Sequence, residues 1–353
     1  MNIKKTPNSR LSGFDWDNFS FGDTFTDHMV ICEYENGEWK EPQLLPYGPI
    51  SFTPAMMAVN YGQACFEGMK AYKDKNDDIF LFRIDKNYDR INKSSQRLGM
   101  PKIPKEIFYD GLYTLVDVDR GWVPYGEGLS LYLRPLIFAT EEMLKARPAE
   151  KFLFAIVASP AKVYYSDPVA VKISDYYSRA ASGGVGFAKA AGNYAASFLP
   201  TYLAQEEGYD QIIWTDDATH EKIEESGTMN VFVRIHDTLF TPPISDRILD
   251  GVTRDSFITL AKRRGIAVRE ENIYVNDLLK AYEGGTLQEI WGVGTAVVAN
   301  SFKSFGYKDK RYPLPVLSEA DSYASLLKKE LVDIQTNLSE DAFGWRYLVE
   351  KKC

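Results

Sequence analysis

One lysine of the sequence stands in surroundings suited to covalent chemistry. Lys189 lies in the segment GGVGFAKAAGNYAAS, where glycine and alanine flank it on both sides. Small neighbours allow a bulky group to approach the backbone. A lysine that is partly removed from water in such a segment is a usable amine nucleophile. Composition alone favours the simpler interpretation, a surface lysine in a flexible loop.

A carboxylate and two glycine-led turns could complete a site for an anionic ligand. Glu225 lies in the acidic stretch EKIEESGTMN, directly before an apolar strand. The turns are DGVT at 250–253, directly before a predicted helix, and GVGT at 292–295. Free amides at a helix N-terminus suit a phosphate group. Each feature alone is better explained as an ordinary turn or a helix cap.

Two arginines are candidate cations for such a site. Arg90 in NYDRI lies in a predicted amphipathic helix, and Arg134 in LYLRP lies in a mostly apolar strand. A charged side chain in an apolar strand needs a partner. A phosphorylated aldehyde cofactor requires a lysine for a Schiff base, a carboxylate for a pyridinium nitrogen, and amides with an arginine for the phosphate. The sequence contains all four kinds of group. Their spacing is compatible with a site for such a cofactor but does not by itself establish one.

These residues are carried by alternating strands and helices. Short apolar or alternating runs predict strands at 30–34, 79–83, 129–136, 152–158, 170–174, 211–215, 230–234 and 238–241. Apolar residues at helical spacing predict helices at 85–98, 194–207, 253–264 and 319–334. In the 194–207 helix the apolar face is predicted to consist of Ala195, Phe198, Leu199, Tyr202 and Leu203. The alternation predicts an α/β (α+β) fold.

The length permits two domains. The chain has 353 residues, of which 45% are hydrophobic, so it can bury a substantial core. The segment SPAKVYYSDPV at 159–169 is rich in proline and tyrosine and is typical of a link between domains. We predict a small N-terminal α/β domain at 1–162, a linker at 163–170 and a large C-terminal α/β domain at 171–353 that carries Lys189.

Composition excludes several functional classes. A net charge of -8 argues against non-specific nucleic-acid binding, which needs a cationic face. The cysteines Cys32, Cys65 and Cys353 fit neither a zinc site nor a disulfide framework, and the three histidines are scattered. We therefore expect no metal site and a reducing, cytoplasmic location. No apolar run approaches the length of a membrane span, and no secretory signal is recognisable, so we expect no membrane association.

Motifs along nearly the whole chain carry a family resemblance. In order they are FGDTFTDHM (21–29), YGQACFEGMKAY (61–72), FRIDKNYDRINKSSQRL (82–98), LYLRP (131–135), KAAGNYAAS (189–197), EESGTMNVF (224–232), TPPISDRILDGVTR (241–254) and WGVGTA (291–296). In sequence, order and separation they resemble the branched-chain aminotransferases, which are class IV, fold type IV pyridoxal-phosphate enzymes. The resemblance implies a two-domain fold type IV enzyme that holds pyridoxal 5'-phosphate (PLP) at the domain interface.

The resemblance also implies the roles of the cofactor-binding residues. Lys189 looks like the lysine that forms the Schiff base with PLP and moves the proton of the substrate α-carbon. Glu225 resembles the carboxylate that pairs with the pyridine nitrogen, where a protonated ring is the better electron sink. Tyr194 resembles the phenol that hydrogen-bonds the ring oxygen. The groups that match the phosphate-binding positions are Arg90, Val252, Thr253 and Thr295.

The implied substrate pocket is aromatic and includes parts of a partner subunit. Its matching positions are Phe21, Tyr61, Phe66, Tyr132 and Tyr164. Thr228 and Ala296 resemble the groups that receive the substrate carboxylate, and Arg134 the arginine that accepts the second carboxylate of glutamate. An aromatic, apolar pocket buries the methyl groups of leucine, isoleucine and valine. The implied activity is a reversible ping-pong transfer of their amino group to 2-oxoglutarate by a homodimer.

The sequence departs from the family in two places. Mammalian members carry a CxxC pair after the GT turn, whereas this chain reads AVVAN at 296–300, so we expect no thiol switch of that kind. The loop after Thr140, EEMLKARPAEK, differs from the family loop that closes on the substrate, which leaves Leu144 and Ala146 as pocket candidates by position only.

Two other functions are compatible with parts of the sequence. D-amino-acid aminotransferases and aminodeoxychorismate lyases share the lysine and the glutamate, but they are typically shorter and lack the FTDHM and FEGMKAY motifs. A non-catalytic cofactor-binding or regulatory protein of the same fold is the alternative from another class. The joint presence of Lys189, Glu225, Tyr194 and Arg90 argues against it.

Overall fold

The computed structural model describes residues 1–162 and 167–352, which form twenty β-strands and eight α-helices. The strands are β1 Asn2–Ile3, β2 His28–Glu35, β3 Glu38–Trp39, β4 Gln43–Pro46, β5 Ala64–Phe66, β6 Met69–Lys73, β7 Ile79–Phe82, β8 Ser130–Ala139, β9 Phe152–Ala161, β10 Val169–Ile173, β11 Gln211–Thr215, β12 Lys222–Ser226, β13 Met229–Ile235, β14 Thr238–Thr241, β15 Ala267–Glu270, β16 Ile273–Tyr274, β17 Leu287–Gly294, β18 Val298–Tyr307, β19 Lys310–Pro313 and β20 Arg346–Leu348. The helices are α1 Met57–Tyr61, α2 Ile84–Arg97, α3 Lys105–Val118, α4 Ala191–Ala195, α5 Phe198–Glu206, α6 Val252–Arg263, α7 Val275–Glu283 and α8 Tyr323–Gln335. This mixture confirms the predicted α/β class.

The described residues form two compact units. The first contains residues 1–162, 188–191 and 334–352, and the second contains 167–187 and 192–333. Two segments differ from the predicted division. The C-terminal segment joins the first unit because β20 pairs with β7. Residues 188–191, with Lys189, join it because Ala190 forms an antiparallel bridge to Cys65 in β5.

The first unit is built on an almost entirely antiparallel sheet. Its strand order is β1-β4-β2-β9-β8-β6-β7-β20, with β3 paired to β2 and β5 paired to β8. Helices α2 and α3 contribute Ile91 and Phe108 to the same fully buried core as Phe154 of β9. Helix α2 also buries four polar residues, and three of them, Asn87, Arg90 and Ser94, lie on one face at helical spacing; the fourth is Ser95. Buried polar groups require partners, so this face of α2 points to a polar site.

The second unit contains a closed ring of strands. Neighbouring strands pair in the order β13, β17, β18, β10, β11 and β12, and β12 pairs back to β13. Residues such as Val231, Ile290 and Phe305 are buried in the core of this unit. Because β12 pairs on both of its edges, it is buried over residues 223–226 although it carries two adjacent acids, Glu224 and Glu225.

One helix prediction is wrong in detail. The segment predicted as a single helix at 194–207 consists of α4 and α5, with Pro200 in the first turn of α5, where proline is tolerated. The predicted apolar face is turned outward, since Phe198, Leu199 and Tyr202 are 69%, 58% and 56% exposed. The buried side is formed instead by Pro200 and Ala204, because the small side chain of Ala204 packs with Ala170 and Tyr209. The other predicted elements are confirmed, with ends shifted by a few residues.

The two described cysteines are expected to be unreactive in the folded protein. Cys32 and Cys65 are each 1% exposed, and burial raises the pKa of each thiol to about 12. Because the thiolate is the reactive form, a thiol reagent should label neither residue at pH 8 until the protein is denatured. The labelling is best counted in a Cys353→Ser variant. Rapid labelling of one equivalent in the native variant would contradict this expectation.

Candidate active site

The backbone of Lys189 is fixed from both sides within the first unit. Its amide donates a hydrogen bond to Ser94 Oγ of α2 at 2.9 Å, and its carbonyl accepts one from the Phe66 amide at 3.1 Å. The side chain is partly exposed, and its Nζ lies 5.2 Å from the centre of the Phe66 ring. The structure therefore presents an amine on a rigid backbone beside an aromatic ring.

A second cation lies on the same aromatic ring. Arg134 Cζ is 4.4 Å from the centre of Phe66, and Arg134 Nη2 donates to Tyr132 Oη at 3.1 Å. Tyr132 in turn meets Phe21 edge to face, with ring centres 4.9 Å apart. Arg134 Nε is buried and has no hydrogen-bond partner among the described residues. The predicted residues Phe21, Phe66, Tyr132 and Arg134 are thus brought together with Lys189.

Arg90 is held by a glutamate that is not among the predicted site residues. Its Nε and Nη2 donate to Glu67 Oε1 and Oε2, both at 2.7 Å, and Asn87 Nδ2 donates to Oε2 at 2.6 Å. Burial acts to raise the pKa of the fully buried Glu67 carboxyl, but the charges of Arg90 and Lys189 and these hydrogen bonds outweigh it and hold the pKa below its usual value. An acid inside the otherwise apolar motif ACFEGM was the available sequence signal.

The remaining aromatic candidates for the substrate pocket are Tyr61 and Tyr164. Tyr61 is exposed, and its hydroxyl donates a hydrogen bond to the carbonyl of Leu144, which is itself exposed. Tyr164 lies outside the described residues. The assignment of these residues to the substrate pocket stays a prediction.

Glu225 is held by three groups within the second unit. Oε1 accepts hydrogen bonds from the Leu249 amide at 2.9 Å and from Asn230 Nδ2 at 3.1 Å. Oε2 lies 2.5 Å from Arg179 Nε in an ion pair that lacks the alignment of a hydrogen bond. Arg179 also donates to the carbonyls of Gly186 and Arg247. Arg179 is in an irregular segment without periodicity, so nothing local in the sequence distinguishes it.

Asn230 connects Glu225 with the start of helix α6. Its Nδ2 also donates to the Leu249 carbonyl at 2.9 Å, and Gly251 is the N-cap of α6. A Cβ on Gly251 would lie 1.9 Å from Asn230 Oδ1, so only glycine fits there. Val252 and Thr253 form the first turn of this twelve-residue helix, whose amides and dipole suit a phosphate.

The other predicted residues of the second unit lie on two neighbouring turns and a short helix. Thr295 and Ala296 follow β17, and a Cβ on Gly294 would lie 3.8 Å from the Thr228 carbonyl. The Thr228 turn and the Thr295 turn are therefore adjacent. Tyr194 lies in α4, and its carbonyl accepts a hydrogen bond from Ser197 Oγ at 2.6 Å.

Comparison with known proteins places the chain in a family. The sequence pattern of the amino-transferase class IV family matches residues 64–299. A probable branched-chain-amino-acid aminotransferase of Staphylococcus epidermidis is 41% identical over 96% of this chain and 95% of its own length. The chain belongs to the class IV aminotransferases. Among them it groups with proteins named branched-chain-amino-acid aminotransferases, which confirms the resemblance predicted from the motifs.

A second relative and a solved structure agree with this placement. The branched-chain-amino-acid transaminase 1 of Bacillus subtilis is 40% identical to this aminotransferase over 94% of both chains. The fold matches the branched-chain amino acid aminotransferase of Thermobaculum terrenum, solved in its PLP form, with a TM-score of 0.76 at 20% identity over 92% of this chain and 98% of that one. The predicted two-domain fold type IV architecture is thereby confirmed.

The described residues of this aminotransferase contain no helix able to cross a membrane and no cluster of side chains placed to bind a metal ion. Within 1–162 and 167–352, no helix combines the length and the apolar composition needed to cross a bilayer. The same ranges hold no group of three or more histidine, cysteine or acidic side chains placed to bind a metal ion.

Glu224, next to Glu225, makes the stability of this aminotransferase depend on pH. Glu224 is 2% exposed, its Oε1 pairs with Arg247 Nε, and its Oε2 is buried without a hydrogen-bond partner among the described residues. Burial raises the pKa of Glu224 to about 7, against the opposing charge of Arg247. The folded state therefore binds the proton of Glu224 more tightly than the unfolded state does. The stabilisation that results is fully present below pH 4.5 and is lost as the pH rises through 7.

The Glu224→Gln variant should therefore lose this pH dependence. Between pH 5 and pH 8, the wild-type free energy of unfolding should fall relative to that of the variant by up to about 3 kcal/mol. Urea titrations of both proteins at the two pH values measure the difference between their free energies of unfolding. Other titrating groups contribute equally to both proteins, so their effects cancel in this difference. A difference that stays constant or rises with pH would show that Glu224 is ionised throughout this range.

Proposed function

We propose that this aminotransferase transfers the amino group of L-leucine, L-isoleucine or L-valine to 2-oxoglutarate with PLP as its cofactor. The products are the branched 2-oxo acid and L-glutamate, and the reaction is reversible. The observation that carries the proposal is the fixed amine of Lys189 beside Phe66, within a cluster of aromatic side chains and Arg134. The names of the relatives at about 40% identity support the choice of amino acid.

The groups present fit PLP in their chemistry. In the first unit, Lys189 offers the amine for covalent attachment and Arg90 offers a cation for the phosphate. In the second unit, Glu225 offers a buried carboxylate for the ring nitrogen, Tyr194 a phenol for the ring oxygen, and the first turn of α6, with Thr295, the donors for the phosphate. When bound, PLP supplies an electron-withdrawing ring that stabilises negative charge at the substrate α-carbon.

The protein's own residues transfer the proton, orient the cofactor ring and bind the substrate carboxylate. Lys189 Nζ would accept the proton of the substrate α-carbon and pass it to the cofactor carbon that keeps the amino group, which is general acid–base catalysis by a positioned amine. Glu225, held in its ion pair with Arg179, would pair with the ring nitrogen of PLP and orient the ring. Thr228 and Ala296 receive the substrate carboxylate at their adjacent turns. The amino group stays on the enzyme between the two halves of the reaction, so the kinetics are ping-pong.

The aromatic cluster selects the substrate side chain. Phe21, Phe66 and Tyr132 present ring surfaces that bury methyl groups, and burying a leucine side chain contributes about 2 kcal/mol. Glutamate must be accepted at the same place in the second half-reaction, and its second carboxylate needs a cation. Arg134 is suited to this because its buried Nε lacks a hydrogen-bond partner among the described residues.

The Arg134→Met variant should separate the two substrates. Methionine preserves contact with the Phe66 ring but removes the donors for a carboxylate. We expect KM for 2-oxoglutarate to rise by about tenfold or more, whereas KM for L-leucine should change by less than about threefold. Initial rates with each substrate varied in turn measure both constants. Equal increases for the two substrates would show that Arg134 acts on the fold of the pocket and not on the carboxylate.

We further propose that the enzyme is a homodimer. Helix α5 exposes Phe198, Leu199 and Tyr202 together, and a group of exposed apolar side chains marks a protein contact surface. Light scattering should give twice the chain mass of 40.0 kDa. A Phe198→Ser/Tyr202→Ser variant should shift the mass towards that of one chain. A wild-type protein that is monomeric at micromolar concentration would overturn the proposal.

Turnover with defined amino donors tests the proposed function. Glutamate formation from 2-oxoglutarate is measured with L-leucine, L-isoleucine, L-valine or D-alanine as the donor. The proposal predicts turnover with the three branched L-amino acids and none with D-alanine. Turnover with D-alanine alone would indicate a D-amino-acid aminotransferase. PLP binding without turnover on any donor would favour the non-catalytic alternative.

A further inference from the structure

One face of helix α2 connects the two cations of the first unit. Its buried polar residues, Asn87, Arg90 and Ser94, lie at helical spacing. Ser94 Oγ accepts the hydrogen bond from the Lys189 amide, while Asn87 and Arg90 both donate to Glu67. Glu67 directly follows β5, whose residue Phe66 binds the Lys189 carbonyl. A single cluster therefore contains the reactive amine, the predicted phosphate arginine and a buried acid without an assigned role.

The contact between Glu67 and Arg90 fixes the guanidinium plane. Both carboxylate oxygens are used, one by Nε and the other by Nη2, each at 2.7 Å. A bidentate pair of this kind defines both the plane and the rotation of the guanidinium group. The edge formed by Nη1 and Nη2 consequently faces away from Glu67. A phosphate held by Arg90 would have to be held at that edge.

Glu67 itself is positioned by further donors. Its Oε2 also accepts a hydrogen bond from Asn87 Nδ2 at 2.6 Å and one from the Gly68 amide at 3.2 Å, and its own amide donates to the Pro135 carbonyl at 2.7 Å. The residue is completely buried. A buried ion pair contributes little net stability because of its desolvation cost, although breaking one is expensive. The arrangement is better explained by the orientation it gives Arg90.

We propose that Glu67 is a positioning residue that orients Arg90 for the phosphate group of the cofactor, without contacting the cofactor itself. This inference rests on the proposed PLP-dependent function. It makes a distinct claim, because an arginine that attracted the phosphate only by its charge would act better without a neighbouring anion. Removal of Glu67 should therefore weaken phosphate binding if orientation dominates, and strengthen it if net charge dominates.

The Glu67→Gln variant tests whether the orientation of Arg90 or the net charge of the cluster dominates phosphate binding. Glutamine has nearly the same shape but only one acceptor oxygen, and its amide N–H₂ would oppose one N–H of Arg90. The guanidinium would have to turn away from its present plane. Dissociation constants are measured for PLP and for pyridoxal, which lacks the phosphate. The ratio of the two constants isolates the phosphate contribution from any effect on Lys189.

We expect Glu67→Gln to raise Kd for PLP by about tenfold or more and Kd for pyridoxal by less than about threefold. Glu67→Asp keeps the charge but moves the carboxylate away from Arg90, so it should raise the ratio of Kd for PLP to Kd for pyridoxal as well. This variant replaces Glu67→Gln in the test if the glutamine variant does not fold. Glu289→Gln is the matched control. Glu289 is a buried acid paired with Arg234 at 3.0 Å in the second unit, so its loss should lower thermal stability and leave the ratio unchanged.

The outcomes separate this inference from the proposed function. PLP binding by Glu67→Gln that equals or exceeds that of the wild type would overturn the positioning role. Equal weakening of PLP and pyridoxal would also overturn it, because Glu67 would then act through Lys189 or the fold. A wild-type protein that binds no PLP would instead overturn the proposed function.

Discussion

Replacing Lys189 with alanine is expected to lower kcat/KM for L-leucine by at least about 1,000-fold, because the variant loses both the amine nucleophile and the group that moves the α-proton. The fold should be preserved. The two hydrogen bonds that fix this segment, to Ser94 Oγ and from the Phe66 amide, use the backbone of residue 189 and not its side chain. The measurement is glutamate formation from L-leucine and 2-oxoglutarate, together with a thermal unfolding curve.

An exposed lysine provides the control for this variant. Lys329 of α8 is exposed at the surface, where its Nζ pairs with Asp333 of the same helix at 2.6 Å. Lys329→Ala should have wild-type turnover and a melting temperature close to that of the wild type. If Lys189→Ala retained turnover within about tenfold of the wild type while folding normally, Lys189 would not be the catalytic amine.

Replacing Glu225 with glutamine is expected to lower turnover by roughly 100- to 1,000-fold, which is the usual cost of removing one preorganised electrostatic group. The carboxylate is fixed by Leu249, Asn230 and Arg179, so its charge has a defined position. Glutamine would also remove the ion partner of Arg179, whose side chain is only 9% exposed, at a cost of about 3 kcal/mol in stability. Activity is therefore measured well below the melting temperature of the variant, with PLP in excess.

The neighbouring acid gives a matched control for Glu225. Glu224 lies on the same strand, is equally buried and is also paired with an arginine, Arg247. Glu224→Gln should reduce turnover much less than Glu225→Gln, because Glu224 has no proposed contact with the cofactor. Similar losses in both variants would indicate that the strand is being disrupted and that Glu225 has no specific role.

Local patterns in the sequence predicted the elements but not their long-range pairing. The run QIIWT at 211–215 is a strand as predicted, because its apolar residues decide its structure locally. The grouping of Lys189 with the first unit depends on the bridge between Ala190 and Cys65, residues that are far apart along the chain. Periodicity carries no information about such a contact.

Helix α5 shows the limit of periodicity more directly. The spacing of Phe198, Leu199 and Tyr202 describes an apolar face, but it does not say which face is covered. In this chain the small residue Ala204 allows close packing on the opposite side. The large apolar residues are left at the surface, where the proposed dimer would bury them.

The sequence motifs predicted the residues of the site but not the ion-pair partners that hold them. The family motifs pointed to Lys189, Arg90 and Glu225, whereas Glu67 and Arg179, which hold two of them, were not predicted. An ion-pair partner is chosen by proximity in the fold, and many acids and arginines of the sequence were equally plausible. The orientation of a catalytic group is therefore information that only the three-dimensional structure provides.

The most direct test of the central claim is the visible absorption spectrum of the purified protein with PLP, recorded before and after L-leucine is added without any 2-oxo acid. The structure and the family predict a band that depends on Lys189, is abolished by L-leucine and is unaffected by D-alanine. A band that only D-alanine abolishes would contradict the assignment to branched-chain substrates. The absence of a protein-bound band after incubation with PLP and removal of the unbound cofactor would contradict the roles of Lys189 and Glu225 and, with them, the proposed function.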